Sequence, residues 1–228
     1  GAADRNSRDD RGRRPTDQTG RECLTLTDMK YTIGLLFVLL WTGALVAQPY
    51  DFQLAVLKYR GGGDYYVNPT AVRNLARFVN ENLDTRINPD YSYVEPSSPD
   101  LYNYPWVHMT GHGNVLWNEA ERENLRRYLT GGGFLHIDDN YGMDPYIRRE
   151  LQKLFPGKEL QALPPSHPLF GNVFSFPEGL PKIHQHEGKP PAAYGIRIDG
   201  RLAVLYTHES DISDGGESAE VHNDPPEK

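Results

Sequence analysis

Short apolar runs alternate with amphipathic segments through the middle of this chain. Phe52–Lys58, Trp106–Thr110 and Phe134–Ile137 are apolar runs with the length of buried strands. Segments with apolar residues at helical spacing follow them, and we predict helices over 69–83, from Asn118 onward, and over 145–155. Strands that alternate with helices across glycine-rich turns favour a three-layer α/β sandwich around a mainly parallel sheet.

The ends of the predicted helices carry capping signals. Asn68 is predicted as an N-cap, with Pro69 at the first helical position. Asn118 and Glu121 have the spacing of a capping box. Gly131 is predicted to end that second helix in the left-handed conformation.

The pattern changes after residue 156, where proline and glycine become dense. Residues 194–198 and 202–206 alternate between apolar and polar on either side of Asp199-Gly200. This combination predicts a C-terminal β-hairpin. Residues 91–95 predict a weaker strand between the first two helices.

The N-terminal part has the pattern of a targeting segment. Met29-Lys30 precedes an apolar run of about 14 residues that ends in small residues at Ala44 and Ala47. The run is shorter than the ~20 residues of a membrane-spanning helix. We therefore expect a signal peptide over 29–47, cleaved after Ala47 or Ala44, and an exported body, periplasmic or secreted, over 48–228. The alternative is that the segment is not cleaved and anchors the protein. In that case we expect the protein to contact the membrane only through this N-terminal segment.

The first 28 residues are polar and rich in Arg and Asp, without apolar periodicity. We interpret residues 1–28 as an upstream extension without structure. A cytoplasmic tail is the alternative.

Composition narrows the function classes. The net charge of −7 disfavours nucleic acid, which needs clustered Lys and Arg. Hydrophobic residues make up 38% and charged residues 24%, as in soluble globular proteins. The single cysteine, Cys23, precedes the body and excludes an internal disulfide or a multi-cysteine metal site. The partner stays open between an unknown small molecule and an envelope protein, and the cofactor is unknown.

Glycines and polar residues gather after three predicted strands. Ligands of open parallel sheets bind beyond the carboxyl ends of the strands, so these clusters are expected to share one edge. The candidate ligand-binding residues are Arg60, Gly61, Gly62, Gly63, Asp64, Tyr66, Asn68, Gly111, Gly113, Asn114 and Tyr141.

His112, Asp138 and Asp139 are the candidate catalytic residues. His112 lies between two glycines and could act as base, donor or ligand, or could bond the neighbouring loop. Adjacent residues on a strand face opposite sides, so the two aspartates do not form an acid/base pair by themselves. One of them could be catalytic or metal-binding while the other caps the next helix.

His184 and His186 are weak metal candidates. Two histidines at spacing two on a strand point the same way, and Glu187 could add an oxygen, but a third ligand must come from elsewhere. A structural role for both histidines is the alternative. Asp211 and Asp214 could bind a divalent cation, or belong to a solvated loop.

Four stretches resemble the bacterial family DUF4159, a domain of unknown function: Leu57–Pro69, Thr110–Asn114, Gly131–Asp139 and Lys182–Lys189. The resemblance implies a flavodoxin-like, class I glutamine amidotransferase-like fold. Ser166–Gly171 is also similar to a segment of the trehalose-utilisation (ThuA-like) proteins. The family pattern extends beyond Lys228, so we expect a C-terminally truncated domain.

The resemblance also bears on chemistry. Glutaminases of this superfamily carry a cysteine on the turn after the strand that corresponds to Phe134–Ile137, where this chain has Asp138-Asp139-Asn140. Without the thiol, glutaminase chemistry is not available. Two hypotheses remain: a ligand-binding or scaffolding module of the cell envelope, or a hydrolase that uses His112 with Asp138 or Asp139, with or without a metal.

Overall fold

A seven-stranded sheet organises the computed structural model, which describes residues 49–222. The predicted extension over 1–28, the predicted signal peptide over 29–47, Cys23 and the tail from Asn223 lie outside the described residues. Within that range, no helix has both the length and the apolar character needed to cross a membrane.

The elements follow one another in an α/β order. The strands are β1 (Phe52–Leu57), β2 (Ile87–Val94), β3 (Trp106–His112), β4 (Phe134–Tyr141), β5 (Gln161–Leu163), β6 (Ala192–Ile198) and β7 (Arg201–His208). The helices are α1 (Ala71–Asn82), α2 (Glu119–Thr130), α3 (Asp144–Leu154), α4 (Ile212–Gly215) and α5 (Ala219–His222). Two 3-10 turns cover Pro99–Asn103 and Pro168–Phe170.

The strand order is β2-β1-β3-β4-β7-β6-β5. The first five strands in this order pair in parallel, whereas β6 is antiparallel to both β7 and β5. The predicted hairpin is confirmed as β6 and β7, but it belongs to the main sheet because β7 pairs with β4. From β1 the chain goes to β2 on one side of β1, and then crosses back to β3 on the other side of β1. The connections from β1 and from β3 therefore lead in opposite directions along the sheet, and the strand order reverses between these two strands.

Helices cover both faces of this sheet. Leu54 and Val56 of β1 pack against Val72 and Ala76 of α1 on one face. On the other face, a larger core joins the alternate strand residues, such as Leu135, to the apolar sides of α2 and α3. The α/β sandwich with a mainly parallel sheet is therefore confirmed.

Local turn chemistry matches the prediction at two places and differs at a third. Asp199 and Gly200 have φ of 50° and 82°, the two positive values of the hairpin turn that the sequence predicts. The capping box of Asn118 and Glu121 is present. The prediction of a left-handed cap at Gly131 is wrong, since the φ of Gly131 is −77° and Gly132 has the positive φ instead.

The predicted start of α1 is also wrong. Asn68 is buried and does not cap the helix: its Oδ1 accepts hydrogen bonds from Thr110 (3.1 Å) and Asn140 (3.0 Å). The helix begins two residues after Pro69, and Glu217 binds its first amide groups from 146 residues away in sequence. A partner that distant leaves no local signal.

Candidate functional site

His112 and Asp64 form a pair at the divergence between β1 and β3. His112 ends β3 and Asp64 lies in the loop after β1, and His112 Nδ1 is 3.1 Å from Asp64 Oδ2. The backbone N–H of His112 also donates to Asp64 Oδ1 at 2.5 Å. The His112 side chain is 46% exposed, so the pair faces solvent. The predicted carboxylate partners, Asp138 and Asp139, are not hydrogen-bonded to His112 within residues 49–222.

The glycines around this pair mainly let loops pack on one another. A Cβ on Gly61 would lie 2.7 Å from the carbonyl oxygen of Asn114, and one on Gly111 would lie 2.3 Å from the Tyr59 hydroxyl. Gly62 and Gly113 also have positive φ, but nothing lies within 4 Å of a Cβ there. Among these four glycines, the last two have open space beside them.

Besides the buried Asn68, two more of the predicted ligand-binding side chains have structural partners. The Arg60 guanidinium makes two hydrogen bonds to the Glu121 carboxylate, at 2.9 and 3.0 Å. Burial raises the pKa of Glu121, but the bonds from Arg60 and from the Asn118 N–H outweigh it and hold that pKa below its usual value. Asn114 Oδ1 accepts a hydrogen bond from Arg149 at 3.1 Å. Arg60 therefore joins the loop after β1 to α2.

Two exposed tyrosines lie close to the Asp64–His112 pair along the chain or in the sheet. Tyr141, which pairs with His112 in the sheet, is 50% exposed, and Tyr66 is 61% exposed. The Tyr66 ring packs edge-on against Tyr65, with 5.3 Å between centroids. Both rings are therefore exposed apolar surface in the part of the chain that carries the pair.

Asp138 belongs to a closed, buried network. It accepts hydrogen bonds from the Thr207 hydroxyl and, at 2.7 Å, from the Ser213 N–H. Thr207 contacts His136 Nε2 at 3.2 Å, the Nδ1 atoms of His136 and His108 are 3.2 Å apart, and His108 Nε2 is 3.0 Å from the Ser213 hydroxyl. One proton per imidazole satisfies every contact, so both histidines are neutral. Burial lowers both pKa values, which agrees with that state.

Asp139 caps α3 with its side chain. Its two oxygens accept the backbone N–H groups of Met143 (2.9 Å) and Asp144 (3.0 Å). Its Oδ2 also lies 3.2 Å from His208 Nδ1. The two aspartates bind partners in different elements: Asp138 contacts Thr207 and Ser213, whereas Asp139 caps α3.

A small polar recess of about 100 Å³ opens beside Asp139. Tyr141, His186 and His208 are among its lining residues. The His186 ring stacks on Tyr141 with 5.2 Å between centroids. The recess therefore continues the carboxyl edge from His112 toward the loop before β6.

The two weak metal candidates, His184 and His186, share a carboxylate partner that the sequence analysis did not predict for them. His184 and His186 lie in a loop rather than on a strand, and both contact Asp211, which follows β7. Asp211 and Asp214 are buried, so the interpretation of a solvated loop is wrong. Burial raises the pKa of Asp211 and neighbouring carboxylates add to the rise, although His184 opposes it.

Two apolar recesses, of about 340 and 520 Å³, lie on the sheet face that carries α1. Both are bordered by Phe78, His136 and Ile212. The smaller recess is also lined by His108 and Ser213, and these polar groups are members of the hydrogen-bonded network around Asp138.

The described residues thus form an α/β protein in which polar side chains gather along the carboxyl edge of a seven-stranded, mainly parallel sheet. The profile of the family described as "Domain of unknown function (DUF4159)" matches residues 53–228, and the chain belongs to that family. No curated protein matches the chain.

Proposed function

We propose that this domain binds a small polar ligand at the carboxyl edge of its sheet, where β1 and β3 diverge. The observation that carries the proposal is the solvent-facing Asp64–His112 pair at that point. Ligands of doubly wound sheets bind where the strand order reverses. Gly62 and Gly113, which are close in sequence to Asp64 and His112, have open space where a side chain would be.

The pair also indicates the kind of ligand. Asp64 occupies His112 Nδ1, whereas His112 Nε2 makes no hydrogen bond within residues 49–222 and can donate to or accept from a ligand. Tyr66 and Tyr141 offer rings for the apolar faces of the same molecule. A ligand rich in hydroxyl or amide groups, such as a sugar or short peptide, fits this combination.

Three finer proposals accompany this one. The order β2-β1-β3-β4-β7 supports a flavodoxin-like sheet, for which the order 2-1-3-4-5 is typical. With the motif resemblance, it supports an amidotransferase-like domain without the cysteine of the glutaminases. The segment Met29–Ala47 supports export and a role in the cell envelope, as a ligand-binding or scaffolding module.

The ligand proposal predicts a loss of binding in His112→Ala and Asp64→Asn. A ligand from a panel of sugars, amino acids and short peptides should stabilise the wild-type chain by about 2.7 kcal/mol at a hundredfold excess over its Kd. The thermal shift should fall strongly in both variants. His167→Ala is the matched control, because His167 contacts Arg197 near the Asp199-Gly200 turn at the opposite edge. A shift that is the same in all four proteins would contradict the proposal.

A hydrolase is the second candidate, with Asp64 in place of Asp138 or Asp139. A carboxylate on Nδ1 orients an imidazole so that Nε2 can take a proton from water. If a hydrolysed substrate is found among the panel, Asp64→Asn should lower its kcat by about 10²- to 10⁴-fold. Asp138→Asn would instead act through stability, since Asp138 is buried beneath the edge.

A further inference from the structure

A second group of side chains lies further along the carboxyl edge, between the loop before β6 and the segment after β7. His184 Nδ1 is 2.5 Å and His186 Nε2 is 3.1 Å from the same atom, Asp211 Oδ2. One ligand atom from each residue lies within 4.8 Å of the other two. Two imidazoles and one carboxylate thus converge on a common point.

His184 lies between two carboxylates. Its Nδ1 faces Asp211, and its Nε2 is 3.2 Å from Asp214 Oδ2. A neutral imidazole has one N–H, so it can satisfy one of these carboxylates and turns a lone pair toward the other. A positive charge in the cluster, either a second proton or a metal ion, removes this conflict.

The negative charges of the buried carboxylates in this cluster are unfavourable unless a positive charge or hydrogen bonds compensate them. Asp211 is 3% exposed, and its Oδ1 has no hydrogen-bond partner within the described residues. Asp214 and Asp138 are also buried. Desolvated anions need pairing or coordination, and an unbonded carboxylate oxygen next to two imidazoles is a ready ligand.

We propose that His184, His186 and Asp211 bind a divalent transition-metal ion. His184 Nδ1, His186 Nε2 and the Asp211 carboxylate supply two nitrogens and one oxygen, a donor set that suits zinc and related ions better than calcium. Asp214 accepts the remaining N–H of His184, as carboxylates do behind metal-bound histidines. Tyr141 stacks on His186 and fixes the plane of its ring.

Three protein ligands are one fewer than a closed tetrahedral zinc site has, so one position stays open for water or a ligand. The 40% exposure of the His184 side chain gives ions a route from solvent. The site stands on its own contacts and does not depend on ligand binding at His112.

Metal titration of the full chain tests this site. After treatment with a chelator, the protein should bind one equivalent of Zn²⁺ in calorimetry, and Co²⁺ should give the visible absorption of a low-coordinate nitrogen–oxygen site. His186→Gln and Asp211→Asn should each weaken Zn²⁺ binding at least about 100-fold. Asp214→Asn should weaken it about 10- to 100-fold, as loss of an outer partner does.

His208→Gln is the matched control, because His208 belongs to the neighbouring group with Asp139 and Asp144. It should leave Zn²⁺ affinity unchanged. Circular dichroism of the metal-free proteins establishes which variants fold, and His186→Gln carries the test if Asp211→Asn does not. Absence of stoichiometric binding by the wild type, or wild-type affinity in folded His186→Gln, overturns the proposal. A loss of Zn²⁺ affinity in His208→Gln alone also overturns the proposal.

Discussion

At the scale of single residues, Tyr59 determines how closely the loops at the carboxyl edge approach each other. Its buried hydroxyl donates to the carbonyl oxygen of Thr110 at 3.1 Å, and the same hydroxyl lies where a Cβ of Gly63 or Gly111 would be. Burial raises the pKa of Tyr59, so the hydroxyl remains a neutral donor. The geometry of the Asp64–His112 pair depends on this packing, because Tyr59 joins the segment that leads to Asp64 to the end of β3, where His112 lies.

Gly111→Ala should therefore destabilise the protein strongly. Gly111 has a φ of +138°, and its added Cβ would lie 2.3 Å from the Tyr59 hydroxyl, so strain and overpacking together should reduce the free energy of unfolding by about 2–4 kcal/mol. Urea unfolding measures this loss. Gly113→Ala is the control, since its φ of +76° is also positive but its Cβ would meet open space. It should cost about 1 kcal/mol. Equal losses in the two variants would show that packing against Tyr59 is unimportant.

The residues of the candidate site were easier to identify than their partners. His112 between two glycines after a strand is a local signal, and the structure does place it at the carboxyl edge. Its partner Asp64 lies 48 residues earlier, and nothing near either residue indicates the pairing. The same holds for His184 and Asp211, which are 27 residues apart. Side chains that meet through the folded sheet leave no spacing rule in the sequence.

At the scale of elements, helix α1 shows how a remote residue can take the role of a local cap. The Glu217 carboxylate accepts the backbone N–H groups of Thr70 (2.9 Å) and Ala71 (2.8 Å), and it also accepts the Thr70 hydroxyl at 2.9 Å. A negative charge here also complements the positive end of the helix dipole. The contact ties the segment after α4 to the start of α1.

Removal of this cap should loosen α1 and the segment that follows α4. Glu217→Ala should lower the free energy of unfolding by about 1–2 kcal/mol, the upper part of the range for lost N-caps. Amide hydrogen exchange should be faster in the first turn of α1. Glu220→Ala is the control, because Glu220 is exposed, and it should change stability by less than about 0.5 kcal/mol. Unchanged exchange in α1 of Glu217→Ala would mean that the helix start needs no cap.

Elements with strong periodicity were predictable, whereas weak or short ones were not. Helices α1 and α3 lie within one or two residues of the predicted bounds, since each shows a clear apolar side. Strand β2 begins at Ile87, four residues before the predicted start at Tyr91. The prediction missed these residues because they include the polar Asn88 and Asp90, which interrupt the apolar pattern. Strand β5 has only three residues and depends on its pairing with β6.

At the scale of the whole molecule, the sheet order follows from long-range pairing that local patterns do not contain. The sequence predicts the β6–β7 hairpin, and it predicts a parallel sheet from the alternation of strands and helices. It does not predict that β7 pairs with β4, which places Thr207 beside Asp138 and completes the buried histidine network. The apolar pattern conceals this network too, because His108 and His136 lie within apolar runs.

The buried pair of His108 and His136 should make the stability of the whole fold depend on pH. Burial lowers both pKa values in the folded state, and the neighbouring imidazole adds to this for His108, whereas Asp138 partly opposes it for His136. Unfolded histidine titrates near about 6.5. The unfolded chain therefore takes up more protons than the folded chain as pH falls below that value. Stability present at pH 7 to 8 should decline by up to about 1.4 kcal/mol per pH unit for each histidine.

Urea unfolding at a series of pH values from 8 to 5.5 would test this expectation. His108→Gln and His136→Gln should each flatten the decline, even if both variants are less stable at pH 8, because each removes one titrating group. His167→Ala should keep the wild-type slope, since His167 lies outside the network. If both buried-histidine variants lose stability with the same slope as the wild type, the neutral network is not the source of the dependence. Protons taken up elsewhere would then govern the acid limit of this fold.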